Sequence, residues 1–161
     1  MQQPGAKSCR IRDLLEHVQL ATLQRGQFAA SLPEKEWREF VLSPWIEGAG
    51  EDIAWRRELW EWMSPRVRRE TDAEQAAEIV ARELQRHMGI TEADASDVGV
   101  TETWKRGQTS AAGFERLKVA AMLAAGIPAR LGQSGACEVY AGGRWGPPVA
   151  TFDYRHPLVP R

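Results

Sequence analysis

Cysteine is scarce in this chain: Cys9 and Cys137 are the two among 161 residues. A single pair can close one disulfide, which excludes the densely cross-linked scaffolds of small secreted domains. Long apolar runs are missing as well, and none approaches the ~20 residues that a membrane-spanning helix needs. Nor is there an excess of one charge, with 21 Lys and Arg against 22 Asp and Glu. That balance leaves no electrostatic footprint for nucleic acid or an anionic bilayer, so neither is expected as a partner. The longest basic run, Arg66, Arg68 and Arg69, is broken by Val67 and followed by Glu70, as in a solvated helix end. At the amino end, Met-Gln-Gln-Pro-Gly lacks the basic-then-apolar order of a secretory signal. Cytoplasmic and secreted locations both stay open, since a signal can be removed. At the other end, Leu158-Val159-Pro160-Arg161 reads as the remnant of a thrombin-cleavable tag. The native segment is then expected to stop near His156 or Pro157.

What is present is a globular composition, 43% hydrophobic with seven Trp. It suits one domain, taken as residues 1–157, that buries a core without staples. The part from about 11 to 90 reads as helical. Leu14, Leu15, Val18 and Leu23 follow helical spacing after Asp13. Pro33-Glu34 opens a short second helix with Trp37, Phe40 and Val41 on its apolar face, and Pro44 ends it. Residues 51–63 carry Ile53, Trp55, Leu59, Trp60, Trp62 and Met63, a wide apolar surface that must be buried or covered. Thr71 with Glu74 reads as a capping box, and Ala76, Val80, Leu84 and Met88 recur on one face before Gly89. His87 sits in the last turn, where the helix dipole favours a cation, and has no Cys or His at ligand spacing.

After a polar stretch over 90–103 the character changes. Residues 111–125 form an Ala-rich helix with Phe114, Leu117, Ala121 and Met122 facing inward; Gly126 supplies the stop and Pro128 prevents continuation. Glu138-Val139-Tyr140 and Trp145 flank Ala141-Gly142-Gly143-Arg144, a hairpin signal because primed turns need positive φ. The expected class is therefore α+β: a helical amino-terminal part, then a central helix packed on a small antiparallel sheet spanning about 128–154. Cys137, on a strand beside Glu138, reads as a small buried residue, because no base or positive neighbour accompanies it in sequence.

The run Gly126-Ile127-Pro128-Ala129-Arg130 after an Ala-rich helix resembles the GIPAR signature of transglutaminase-like proteins, which share the papain-like fold. Glu138-Val139-Tyr140-Ala141-Gly142-Gly143-Arg144-Trp145 is similar to that family's E-V-Y-x-x-G-x-W hairpin. Upstream, Pro33-Glu34, Phe40-Val41-Leu42-Ser43-Pro44 and Trp55-Arg56 resemble bacterial members. The resemblance covers about residues 30–145. It implies a cysteine nucleophile at the amino end of the helix before GIPAR, where unpaired amides and the dipole favour a thiolate. A histidine base and an orienting Asp would complete the set. The cysteine position is occupied here by Ala111, which cannot attack a carbonyl. Ser110, one residue earlier, is turned away by ~100° on a helix and reads as an N-cap. The histidine position, four residues before Glu138, is Ser134. The Asp position is matched only by Asp153, which arrives late after Gly146-Pro147-Pro148, and His156 is a weak replacement base.

Three readings follow. The first is a degenerate domain that keeps the fold and binds peptide or glycan, or scaffolds a protein, in a cleft around Trp104, Ser110, Ala111 and Trp145. The second is a cysteine-dependent amide acyl-transfer or hydrolysis enzyme inactivated by replacement of Cys with Ala at 111. The third is a structural interaction module whose Trp55, Trp60 and Trp62 form an exposed partner surface. The resemblance implies no cofactor and no metal; no acidic loop with a calcium-ligand pattern occurs.

Overall fold

The computed structural model describes residues 11–49, 52–92 and 98–148. In chain order the elements are α1 (Ile11–Leu23), α2 (Arg25–Phe28), α3 (Glu34–Trp37) continuing into a π-helical turn (Arg38–Leu42), α4 (Trp55–Val67), α5 (Ala73–His87), β1 (Gly89–Ile90), α6 (Val100–Arg106), β2 (Gln108–Thr109), α7 (Ala111–Ala124), β3 (Ala129–Leu131), β4 (Cys137–Ala141) and β5 (Arg144–Gly146). The class is α+β, as the sequence predicts.

The Ala-rich helix α7 occupies the middle. It is buried on nearly all sides from Gly113 to Ala124, Arg116 excepted, because α4, α5 and α6 pack against it together with β3 and β4. Small side chains at Ala120, Ala121, Ala124 and Ala125 let these neighbours approach closely. A helix of small and apolar side chains on most of its circumference is buried in this way. Gly126 ends it in the left-handed region at φ +82, and a Cβ there would lie 2.9 Å from Cβ of Gln24. Glycine therefore meets both a dihedral and a space requirement at the stop.

β3, β4 and β5 form an antiparallel sheet in that order, with Leu131 opposite Cys137 and Tyr140 opposite Trp145. Gly142 and Gly143 make the tight turn at φ 59 and 80, as the Gly-Gly signal predicts. Alternation along β4 buries Cys137, Val139 and Ala141 on the side that faces the core. Glu138 and Tyr140 project to the opposite face. A second ladder was not legible: β1 and β2 pair in parallel, Gly89 with Gln108, on either side of the stretch read as polar loop. Helix α6 starts inside that stretch as well, with Val100, Thr103 and Trp104 buried.

Other boundaries shift for local reasons. The N-cap of α5 is Asp72 and not Thr71, since its carboxylate accepts the amides of Glu74 at 2.7 Å and Gln75 at 3.3 Å. Its face of Ala76, Val80, Leu84 and Met88 is buried as expected. The 51–63 segment forms α4 with Trp55, Leu59 and Met63 buried, while Trp60 and Trp62 are half-buried against the core. An exposed face of three tryptophans, which the interaction-module reading requires, is not what α4 presents. Helix α1 departs most from its spacing: it buries His17 and Ala21, leaving Leu15, Val18 and Leu23 exposed.

His17 faces inward because of Arg56, a fully buried residue of α4. The Arg56 guanidinium donates from Nε to His17 Nδ1 at 3.1 Å, from one Nη to the Leu123 carbonyl at 2.8 Å, and from the other to the Val41 carbonyl at 2.6 Å. Since Nδ1 accepts from a cation, the His17 proton resides on Nε2, which donates to the Leu42 carbonyl at 2.8 Å. Burial, then the Arg56 charge, pulls the His17 pKa from 6.5 down to about 3. The unfolded chain takes up this proton near pH 6.5 and the native state only near 3. Native stability therefore falls as pH drops from 6.5 toward 3, with a slope from this group approaching about 1.4 kcal/mol per pH unit. In urea denaturation across that window, His17→Gln is expected to lose stability less steeply than the wild type; equal slopes would contradict a buried neutral His17.

Candidate functional site

The amino end of α7 is set by Ser110, whose backbone is extended (φ −71, ψ 167) and whose hydroxyl accepts the Gly113 amide at 3.1 Å. Gly113 is required next to it: a Cβ there would collide with the Thr109 hydroxyl. Thr109 is itself buried in β2, so the short parallel ladder fixes where α7 begins. Ala111 is the first helical residue and faces solvent. Ser110 is thus an N-cap, with its hydroxyl engaged by its own helix.

One turn farther, Glu115 faces inward and is buried. Its Oε2 accepts the Cys137 amide at 2.7 Å and its Oε1 meets Lys118 Nζ at 2.9 Å. This tie brings the start of β4, and with it the turn at Gly132–Gly135, to the same end of the molecule as the α7 amino terminus. Ser134 lies in that turn and is exposed; the turn closes through Gly135 N–H to the Gly132 carbonyl at 2.9 Å. Ala111 and Ser134 therefore belong to neighbouring elements, and offer there a methyl group and a hydroxyl. Asp153 and His156 lie outside the described residues.

Trp104 and Trp145 do not join Ala111 in one cleft. Trp104 is buried on α6, stacked on the His87 ring at 4.2 Å and edge-on to Trp62 at 5.6 Å. Trp145 lies on the sheet face away from α7. It packs edge-on against Phe40 at 5.1 Å and lies 4.2 Å beneath the Arg130 guanidinium, which is paired to Glu138 at 3.0 Å. The alternation of the hairpin forces this separation: Trp145 is opposite Tyr140, whose side chain projects away from the helix.

A groove of about 170 Å³ opens between β3, α7 and the segment after the π turn. Ile46, Val119 and Leu123 are buried residues along it, Trp45 is its exposed aromatic wall, and the carboxylates Glu39 and Glu47 stand beside it. Nothing in the sequence singled this groove out, because its lining comes from three separate segments. The Glu115–Lys118 pair was also missed, though the charges in AAGFERLKVAAMLAA signal it: of Glu115, Arg116 and Lys118, the first and last are buried, and buried charges must be paired.

Among the described residues no group of three His, Cys, Asp or Glu can hold a metal ion, and no helix is long and apolar enough to cross a membrane. Cys137 is not a nucleophile in this setting. Burial raises its thiol pKa to about 12; the Lys118 charge opposes the rise, and Glu115 and Glu138 add to it. In native protein at pH 8, Cys137 is expected to resist a maleimide or aromatic disulfide reagent until denaturant is added. Labelling of Cys137 on the timescale of a free cysteine would contradict its burial.

No protein-family model, curated protein or solved structure matches this chain.

Proposed function

We propose that the chain is a catalytically silent domain of transglutaminase-like layout, whose role is to bind a peptide or protein partner. The observation that carries this reading is the α7 amino terminus. The helix end suited to activating a thiol bears Ala111, and the neighbouring turn supplies Ser134 where a base would be needed. A methyl group forms no acyl intermediate, and a lone exposed hydroxyl without an adjacent base is a weak nucleophile. Cys137 offers no substitute, since burial holds its thiol protonated. Support for binding comes from the groove beside Trp45, which combines an apolar lining with Glu39 and Glu47, while the Arg130 that also lines it is paired to Glu138. An extended segment carrying apolar and basic side chains is the chemistry that groove would take.

A second reading, an acyl-transfer enzyme with its cysteine replaced at 111, draws on the shared location of the α7 end and the Ser134 turn. The two readings differ in the field left at position 111. Ala111→Cys, in a Cys9→Ser background with buried Cys137 left in place, reports it through the pH dependence of alkylation. A silent domain predicts a thiol pKa within about one unit of the ordinary ~8.5, because the site is solvated and lacks an imidazolium. A thiol that reacts fully below pH ~6.5 would overturn the silent reading in favour of a disabled enzyme.

A further inference from the structure

We infer that α1 is a self-association surface, on which a second copy of this chain packs its own α1 antiparallel across a two-fold axis. Ile11, Leu15, Val18 and Thr22 recur at steps of four, three and four residues, which places them in one arc of ~60° along the helix. This is the spacing of a two-helix seam. The stripe is open: Ile11 is 76% exposed, Leu15 58% and Val18 44%, and Thr22 is exposed as well. Leu23 is exposed too but lies off the arc, on the side of Glu16. Elsewhere on the described surface, large hydrophobics stand out singly, as at Trp45 and Ile90. Leu14 and Ala21 continue the stripe toward the core, so the apolar surface runs from the exposed arc to the buried one.

The stripe is self-complementary in one orientation. Antiparallel pairing sets Ile11 against Thr22 of the second copy and Leu15 against Val18, so a larger side chain always meets a smaller one. A helical Thr can return its hydroxyl to the carbonyl one turn back, which leaves its methyl for the seam. The same pairing brings the Arg12 donors beside the Gln19 side-chain amide of the second copy. Parallel pairing would stack Ile11 on Ile11 and set two Thr22 side chains against each other, with no large residue to fill between them. The carboxylates keep clear of the seam: Asp13 and Glu16 lie off the arc, and Glu16 is held by Arg57 of α4. A two-fold interface of this kind is isologous, the commonest form of homodimer. A helix of 13 residues spans ~20 Å and offers less than the ~800 Å² per partner of a standard interface. The dimer is therefore a dissociating one, with a constant in the micromolar range or weaker.

Sedimentation equilibrium of the full chain over rising concentration tests this. The expected result is a mass that climbs from monomer toward dimer for the wild type. For Leu15→Glu and Val18→Lys the dissociation constant should rise at least about tenfold. Circular dichroism should be unchanged in both, since both side chains are exposed. Orientation is read by cross-linking in a Cys9→Ser background: a mixture of Ile11→Cys and Thr22→Cys chains should form disulfide dimers faster than either chain alone. A wild type that stays monomeric overturns the inference. It does so whether a Leu15→Cys thiol then reacts freely with maleimide (a bare face) or is protected (a face covered by the chain itself). Dimers that persist in both charge variants, or self-pairs that cross-link faster than the mixture, overturn it too.

Discussion

A buried guanidinium with neutral acceptors is the constraint on which the arrangement turns. Arg56 gives its donors to Val41 at the end of the π turn, to Leu123 in the last turn of α7 and to His17 of α1. Helix ends leave carbonyls without intrahelical partners, and their summed dipole is negative there. Arg56 and the His17 Nε2 proton donate to such carbonyls at two helix ends together: Val41 and Leu42 on one, and Leu123, which also accepts the Gly126 amide at 3.1 Å, on the other. A cation therefore fits a place that holds no carboxylate among its hydrogen-bond partners. Burial lowers the Arg56 pKa to about 9, which still leaves the group charged at neutral pH. The neighbouring Trp55 ring, 5.0 Å from the guanidinium centre, adds its π face to the same environment.

The consequence reaches the candidate site through α7. Its carboxyl end is fixed by Arg56 and the Gly126 stop, its middle by the apolar core, and its amino end by Ser110 and Thr109. Glu115 then holds the hairpin to the helix through the Cys137 amide. The same rigid helix therefore determines where Ala111 faces solvent and where the Ser134 turn comes to rest. At that helix end the scaffold presents a methyl group, and the proposed binding role rests on this.

Much of this was legible in sequence where a local rule was strong. The Gly142-Gly143 turn, the Gly126 stop and the Ala76-Val80-Leu84-Met88 face each rest on dihedral or periodic requirements that tertiary context does not override. Arg56 was not legible, because its acceptors are backbone carbonyls 15 and 67 residues away, and carbonyls carry no residue identity. The α1 face escaped for the same reason: a core direction set by His17 turns Leu15 and Val18 outward, against the ordinary weighting of hydrophobicity. The shared cleft of Trp104, Ala111 and Trp145 failed because a hairpin's alternation decides which sheet face a residue takes, and Trp145 took the far one.

The most direct test of the role of Arg56 is equilibrium urea unfolding of Arg56→Lys beside the wild type. Lysine keeps the charge but is a point donor that cannot span three separated acceptors. The expected loss is about 3 kcal/mol or more, with far-ultraviolet dichroism retained, because the buried Val41 carbonyl and His17 ring lose their donor and a cation is left in a buried place without its full set of acceptors. An Arg56→Lys protein as stable as the wild type, within about 0.5 kcal/mol, would contradict the claim that this guanidinium holds α1, the π turn and α7 together.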